Sequence, residues 1–297
     1  MTRVGLALQP YTARPEADEI SIAPELLRPL ALEILAEQGL EAADPVCVRL
    51  APEEEAERYG LWERTGLADR HLGQAVASMA REGSFVLGLL GNCISSWGML
   101  AGLQHSGPSD RLLDVGLIWI DAHADFNTPE TTLTGWLGGM PVSVAAGRCL
   151  ESLRLSAGLD PAIPTGNIVV LGSRDVDPAE QVLLEASNVT LVSADDMIGR
   201  STAMRSAVER LAGRVDCTYL HVDVDILDAG EIPGSFFETA GGPTAEEVAD
   251  VLRDLMRRPT VRALGIASFP TAEHGRATSM ASVTTLLHGA LRGLAER

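Results

Sequence analysis

Two short acidic motifs contain the residues of this sequence that are best suited to chemistry. The first is Asp-Ala-His-Ala-Asp at residues 121–125, directly after an apolar run, and the second places Asp223 and Asp225 after the apolar run that begins at Tyr219. Residues two apart in a β-strand point to the same side, so each motif collects its polar side chains on one face at a strand end. His221 shares that face with Asp223.

The four carboxylates of these motifs would repel one another at the ends of neighbouring strands unless a cation lay among them. A pair of divalent metal ions meets this requirement. Carboxylate-rich ligation with one imidazole favours Mn²⁺ over softer metals, and bridging carboxylates would hold two ions close enough to share one hydroxide. Either motif alone is often only a turn or a cap, but the two together predict a metal centre.

The elements that must position these residues alternate between short β-branched runs and longer amphipathic ones, which is typical of βαβ units in a parallel sheet covered on both faces. A helix is predicted from Ala23 to Gly39, and Thr244 with Glu247 forms a predicted capping box. The aperiodic segments 125–139 and 227–242 each follow an acidic strand, where sites form in open α/β sheets. The predicted strands are 4–8, 46–50, 85–90, 115–120, 168–171, 189–192, 218–224 and 263–267.

Length and composition limit the class of protein. A chain of 297 residues that is 46% hydrophobic can bury a large core, and we expect a single domain over residues 1–297. The formal net charge of −18, with scattered basic residues, argues against nucleic acid or anionic membranes as partners. No apolar run has the length of a membrane span or a secretory signal, so we predict a cytoplasmic protein.

The acidic motifs resemble those of the arginase (ureohydrolase) family. Residues 121–129 resemble the family motif D-A-H-x-D-x-N-T-P, and residues 221–228 resemble S-F-D-x-D-x-L-D-P. Residues 173–180 and 241–244 resemble the segments R-D-x-D-P-x-E and G-G-L-T in the same order. The resemblance covers about residues 87–270. It implies the three-layer α/β/α arginase–deacetylase fold, with a mostly parallel sheet of about eight strands, and an oligomer, commonly a trimer or hexamer.

The resemblance also implies roles for individual residues. Asp121 and Asp223 would bridge two ions, Asp125 would complete the first site, and His123 with Asp225 would complete the second. Asp125 would also hydrogen-bond the bridging hydroxide, which attacks a guanidinium-type carbon and expels an amine. By the same resemblance, four further residues would contact the substrate: Asn127, Thr134, Asp177 and Glu180. Asp177 and Glu180 are equally able to organise their own loop or a subunit contact.

Two departures from the family pattern concern the metal centre. Cys93 stands where the family has its first metal-binding histidine. A thiolate at this position would favour Zn²⁺ or Fe²⁺ at the first site, or weaken Mn²⁺ there and leave a single ion at the second site. Alternatively, Cys93 is a small buried residue without a metal role. His221 stands where the family has a small residue. It is a candidate catalytic residue, a partner of a metal ligand or a substitute ligand, or simply a buried core histidine.

Other departures concern the substrate. Trp136 replaces an asparagine that contacts the amino-acid end of arginine, and Gly138 replaces a histidine that transfers protons. Residues 264–270 align with L-D-I-x-E-V-N-P, which places Ser268 where the family has the glutamate that pairs with guanidinium. These changes argue against arginine as the substrate. Trp136 and Ser268 nevertheless align with family positions that lie beside the substrate, so we predict that both contact it. The three aromatic residues of the two loops, Trp136, Phe236 and Phe237, either form an apolar pocket wall or only pack the loops together.

The sequence therefore predicts a metal-dependent hydrolase that cleaves a C–N bond of a small guanidine, amidine, urea or amide, with two Mn²⁺ ions expected. Two alternatives stay open. One is a single-metal deacylase on the same fold that uses Asp121, His123 and Asp223, for which we find no suitably placed tyrosine. The other is a non-catalytic family member that keeps the metal.

Overall fold

A parallel sheet forms the centre of the computed structural model, which describes residues 2–10, 21–57 and 60–297. The strands pair in the order β2-β1-β4-β9-β8-β5-β6-β7, with β3 beside β1, and every pair is parallel. The strands are β1 (Arg3–Gln9), β2 (Glu41–Ala42), β3 (Val46–Cys47), β4 (Phe85–Leu90), β5 (Val115–Ile120), β6 (Ile168–Leu171), β7 (Thr190–Val192), β8 (Cys217–Asp223) and β9 (Val261–Ala267).

Helices cover both faces of this sheet. On one face, apolar residues of α1, α9, α10 and α11 pack against the strands, and on the other face α3, α4 and α5 do so. The helices are α1 (Ala23–Glu37), α2 (Pro52–Glu57), α3 (Leu61–Arg81), α4 (Ser96–Gln104), α5 (Pro141–Ala145), α6 (Glu151–Ser156), α7 (Pro178–Glu185), α8 (Ala194–Ile198), α9 (Thr202–Ala212), α10 (Ala245–Met256) and α11 (Arg276–Ala295).

The central strands are apolar along their whole length because both of their faces are covered. Every residue of β4, β5 and β8 is buried, which is the pattern expected for a parallel sheet between two helical layers. The three-layer α/β/α prediction is therefore confirmed.

Two details differ from the predicted strands. Within residues 2–10, 21–57 and 60–297 the sheet has nine strands instead of about eight, and the unpredicted one is the two-residue β2. The predicted strand at 46–50 shortens to Val46 and Cys47, both exposed at the edge of the sheet. The predicted helix start at Ala23 and the capping box of Thr244 and Glu247 are both present. None of the described helices is both long and apolar enough to cross a lipid bilayer.

Two residues in the loops that follow the central strands adopt a backbone conformation that is uncommon for residues other than glycine. Asp125 has a φ of 49° and Ser268 a φ of 64°. Such left-handed conformations persist where the surrounding structure imposes them, often at functional sites.

Candidate metal centre

Four neighbouring strands bring the acidic cluster together at one edge of the sheet. Strands β4, β9, β8 and β5 are adjacent and parallel, so their carboxyl ends meet at the same edge. Cys93 follows β4, Asp121 follows β5, Asp223 ends β8 and Ser268 follows β9. These residues line a cavity of about 250 Å³.

Two groups of side chains in this cavity have the composition and spacing of metal ligands. Possible ligand atoms of Cys93, Asp121 and Asp125 lie within 4.8 Å of one another, and so do those of Asp121, His123 and Asp225. Asp121 belongs to both groups. A carboxylate in that position could bind two adjacent cations at once.

Asp223 lies between the two groups. Its Oδ2 accepts hydrogen bonds from the thiol of Cys93 at 2.6 Å and from the hydroxyl of Ser268 at 2.7 Å. Its Oδ1 accepts from the backbone N–H of Asp225 at 3.0 Å. This carboxylate therefore contacts one member of each group.

Asp121, the residue common to both groups, is held by neighbours on its own strand and loop. The indole N–H of Trp119 donates to Oδ2 at 2.9 Å, and the backbone N–H of His123 donates to Oδ1 at 2.7 Å. Nδ1 of His123 lies 3.3 Å from oxygens of both Asp121 and Asp225, and its Nε2 lies 3.9 Å from the exposed Asp175. The imidazole is thus aligned with one nitrogen towards the acidic cluster and the other towards the cavity mouth.

Burial makes the acidic cluster electrostatically costly in the absence of a cation. Burial and then the charge of Asp225 raise the pKa of Asp223 from 3.8 to about 7, and burial and then the charge of Asp121 do the same for Asp225. Burial also raises the pKa of Asp125 well above its ordinary value. Burial alone would lower the pKa of His123, but Asp121 and Asp225 outweigh it and raise that pKa to about 12.

A divalent cation fits this set of residues. The cluster combines buried carboxylates, one imidazole and one thiol that converge on a cavity, and its carboxylates are hard to ionise without positive charge beside them. Oxygen-rich ligands suit Mn²⁺, whereas a sulfur ligand favours softer ions such as Zn²⁺.

Cys93 is linked to a buried histidine behind the cavity. Nε2 of His221 lies 3.1 Å from the sulfur of Cys93, and Nδ1 lies 2.8 Å from the hydroxyl of Tyr219. The imidazole stacks on Trp119 with ring centroids 3.8 Å apart and is fully buried. Burial lowers its pKa to about 3. His221 therefore contacts a candidate metal ligand but does not line the cavity.

Two residues predicted to contact the substrate, Asp177 and Glu180, also hydrogen-bond to a neighbouring loop. Asp177 and Glu180 form a capping box at the start of α7. Glu180 also accepts the backbone N–H of Phe126 at 2.6 Å, and Asp177 accepts the side-chain N–H of Asn127 at 3.1 Å. Both acidic residues thereby fasten the loop that follows Asp125, while they still line the cavity.

Aromatic rings close part of the cavity mouth. Trp136 stacks on Phe237 with centroids 4.7 Å apart, and Phe237 meets the ring of His123 edge-on at 6.0 Å. The Trp136 ring also lies over Gly138, where a Cβ atom would come within 2.6 Å of it. Trp136 thus fills the space that a side chain at position 138 would need, so these two departures from the family pattern depend on each other.

The predicted site residues come together in this cavity, with one exception. The exception is His221, which lies behind the cavity. The residues predicted to bind metal or substrate all line it: Cys93, Asp121, His123, Asp125, Asn127, Thr134, Trp136, Asp177, Glu180, Asp223, Asp225 and Ser268. Sequence reasoning missed Trp119, Tyr219 and Asp175. The period-2 alternation along β5 and β8 places Trp119 beside Asp121 and Tyr219 beside His221, and was the available signal for the first two.

The fold and the site together define a class of α/β/α proteins, in which two adjacent groups of candidate metal ligands lie at the carboxyl ends of a parallel sheet. A model of the arginase family matches residues 48–290. The chain belongs to the arginase family.

Individual relatives agree with this assignment. "Arginase, non-hepatic 3" of Xenopus laevis is 30% identical over 230 residues, which are 73% of this chain and 64% of that protein. Arginase-1 of Sus scrofa is 29% identical over 273 residues, which are 89% of this chain and 83% of that protein. The chain thus spans less than two thirds of the length of the Xenopus protein that it matches.

Solved structures share the fold. The arginase from Bacillus caldovelox superposes with a TM-score of 0.82 at 23% identity and covers 99% of each chain. A formimidoylglutamase from Bacillus subtilis superposes with a TM-score of 0.75 at 17% identity, over 99% of this chain and 88% of that one.

Proposed function

We propose that this protein is a metal-dependent hydrolase that cleaves a C–N bond in a small guanidine-, amidine-, urea- or amide-type substrate other than arginine. The observation that carries the proposal is the pair of ligand groups that share Asp121 inside one cavity. Membership of the arginase family supports it. Mn²⁺ is the proposed ion, with a softer ion such as Zn²⁺ or Fe²⁺ at the group that contains Cys93.

Two divalent cations held there would supply Lewis acidity and make a water molecule acidic enough to be the nucleophile near neutral pH. The chain's own residues position the reactants. Asp125 lies in the first ligand group with its carboxylate on the cavity wall, where it can accept a proton from a nucleophilic water. Trp136 and Phe237 narrow the mouth and limit access of bulk water.

The proposal excludes arginine because the groups that would recognise it are replaced or engaged elsewhere. Ser268 is a neutral residue whose hydroxyl donates to Asp223, so it offers no negative partner for a guanidinium. Asp177 accepts from Asn127, and Glu180 is tied to the backbone of Phe126. The flat Trp136 and Phe237 rings favour a substrate with a planar or apolar substituent.

Several broader properties belong to the same proposal. Strands from Arg3 to Ala267 contribute to one sheet, which supports a single domain over residues 1–297. A trimeric or hexameric assembly and a cytoplasmic location, both expected from the sequence, are part of the same proposal.

A substrate panel tests the proposal. The full chain, loaded with Mn²⁺ or Zn²⁺, is incubated with arginine, alkyl and aryl guanidines, amidines, ureas and simple amides, and release of urea, ammonia or amine is measured. We expect turnover of at least one non-arginine compound, a loss of 10²-fold or more in Asp125→Asn, and unchanged turnover in Asp195→Asn, the same substitution at an exposed helix position. Preferred cleavage of arginine, or no turnover of any compound by metal-loaded protein, would contradict it.

A further inference from the structure

The buried residues behind Cys93 form a hydrogen-bond chain that ends on its sulfur. The chain runs from the hydroxyl of Tyr219 to Nδ1 of His221 at 2.8 Å, and from Nε2 of His221 to the sulfur of Cys93 at 3.1 Å. Tyr219 and His221 are fully buried and Cys93 is almost so. Neither Tyr219 nor His221 is among the residues lining the cavity, so neither is placed to touch a substrate.

The direction of each hydrogen bond follows from the number of protons available. Cys93 has one thiol hydrogen, and it points to Oδ2 of Asp223 at 2.6 Å. Towards His221 the sulfur can therefore only accept, so Nε2 must carry the imidazole hydrogen. A neutral imidazole has a single N–H, so Nδ1 accepts and the hydroxyl of Tyr219 donates. A metal-bound sulfur, which has no hydrogen, requires the same direction.

Aromatic packing and two hydrogen bonds hold the imidazole ring of His221 in its orientation. Trp119 stacks on it at 3.8 Å, nearly parallel at 11°. The Tyr219 hydroxyl fits only because position 265 on the neighbouring strand is glycine: a Cβ atom there would lie 2.1 Å from the hydroxyl oxygen. His221 and Gly265 are paired directly across β8 and β9. The tyrosine, the histidine and the glycine are therefore mutually dependent.

We infer that Tyr219 and His221 are positioning residues that hold Cys93 as a sulfur ligand of the first cation site, with the N–H of Nε2 donated to the sulfur. The inference rests on the metal centre of the proposed function and deepens it. Partners of this kind fix the orientation of a ligand and tune its affinity, and their loss commonly weakens metal binding by about 10–100-fold. The site thereby accepts thiophilic divalent ions.

Cobalt substitution tests the inference without any need for turnover. The full chain is stripped of metal and titrated with Co²⁺, and two quantities are recorded: the thiolate-to-cobalt charge-transfer absorption and the Co²⁺ affinity by chelator competition. We expect the absorption band in the wild type and its loss in Cys93→Ser. Tyr219→Phe, which removes only the hydroxyl, should lower the Co²⁺ affinity of that site by about tenfold or more and alter the band.

Thr218→Val is the matched control, because it removes a buried hydroxyl from the adjacent position of the same strand, and we expect wild-type Co²⁺ binding. If Tyr219→Phe fails to fold, His221→Gln and His221→Met provide the comparison, since glutamine keeps an N–H donor and methionine does not. We then expect tighter binding by the glutamine variant. The inference would be overturned if the wild type gave no charge-transfer band. Equal Co²⁺ affinities of the wild type and Tyr219→Phe, or of His221→Gln and His221→Met, would also overturn it.

The outcomes also separate this inference from the proposed function. A wild-type band that Tyr219→Phe changes, together with no turnover of any substrate, would retain the positioning role and reject the hydrolase. Turnover by a protein that gives no such band would retain the hydrolase and reject Cys93 as a ligand.

Discussion

Removal of metal should make the stability of this protein fall as the pH rises. Asp223 and Asp225 have pKa values raised from 3.8 to about 7 by burial and by neighbouring carboxylates. Between pH 3.8 and about pH 7, the folded protein therefore keeps a carboxyl proton that the unfolded chain has released. Folding is therefore favoured at low pH, and the free energy of unfolding decreases until the folded carboxyl has also ionised near pH 7.

The size of the effect follows from the pKa values. One such carboxyl loses up to about 1.4 kcal/mol of stability per pH unit below its folded pKa, or about 2 kcal/mol in all between pH 5.5 and pH 8. His123, with its pKa raised to about 12, acts in the same direction: its contribution is complete below its unfolded pKa near 6.5 and is lost as the pH rises towards 12. A loss of about 2 kcal/mol is large against a typical folding free energy of about 5–15 kcal/mol.

Urea unfolding at pH 5.5 and pH 8, in EDTA and in saturating Mn²⁺, measures this dependence. We expect the metal-free protein to be less stable at pH 8 than at pH 5.5 by at least about 2 kcal/mol. The metal-loaded protein should not show this decline, because bound cations favour the ionised carboxylates. Metal-free Asp223→Asn should depend less on pH than the wild type, whereas Asp195→Asn should match it. Equal or greater metal-free stability at pH 8 would refute the reasoning.

Three further predictions concern single positions. Asp121→Asn removes the carboxylate shared by both ligand groups, so elemental analysis should find less than one Mn²⁺ per chain, and a wild-type content would contradict its shared role. Gly138→His should lower stability by about 1–3 kcal/mol, because a Cβ atom there would lie 2.6 Å from the Trp136 ring. Adding Trp136→Asn should restore part of this stability in thermal unfolding. A double variant as unstable as Gly138→His would argue against the steric overlap. Glu180→Ala removes the acceptor of two backbone N–H groups and should cost about 1–3 kcal/mol in urea unfolding; an unchanged midpoint would mean that these bonds contribute nothing.

Local pattern was enough to predict most of the fold. The central strands are continuous apolar runs, and such runs between amphipathic segments indicate a parallel sheet with two helical layers. The strand β2 could not be predicted, because two residues, Glu41 and Ala42, contain no periodicity. They are in a strand only because β1 lies beside them.

The ligand set could be proposed from the sequence because Asp121, His123 and Asp225 directly follow or end strands whose carboxyl ends must meet. The capping box of Asp177 and Glu180 was also visible as Asp-Pro-x-Glu, which is a helix-start pattern. The capping box and the bond from Phe126 to Glu180 account for most of the hydrogen bonds of these two residues.

Contacts between distant segments could not be predicted in this way. The bond from His221 to Cys93 joins residues 128 positions apart, and the overlap of Trp136 with Gly138 depends on how one loop folds back over itself. Such contacts depend on strand order and on side-chain packing, which a pattern of residue types does not contain.

The central claim is that the cavity holds two divalent cations on the side chains grouped around Asp121. Anomalous-difference maps from crystals of the full chain grown with Mn²⁺ test it most directly. We expect two peaks, one touching Cys93, Asp121 and Asp125 and the other touching Asp121, His123 and Asp225. Fewer than two peaks at saturating Mn²⁺, and fewer than two with Zn²⁺, would contradict the claim.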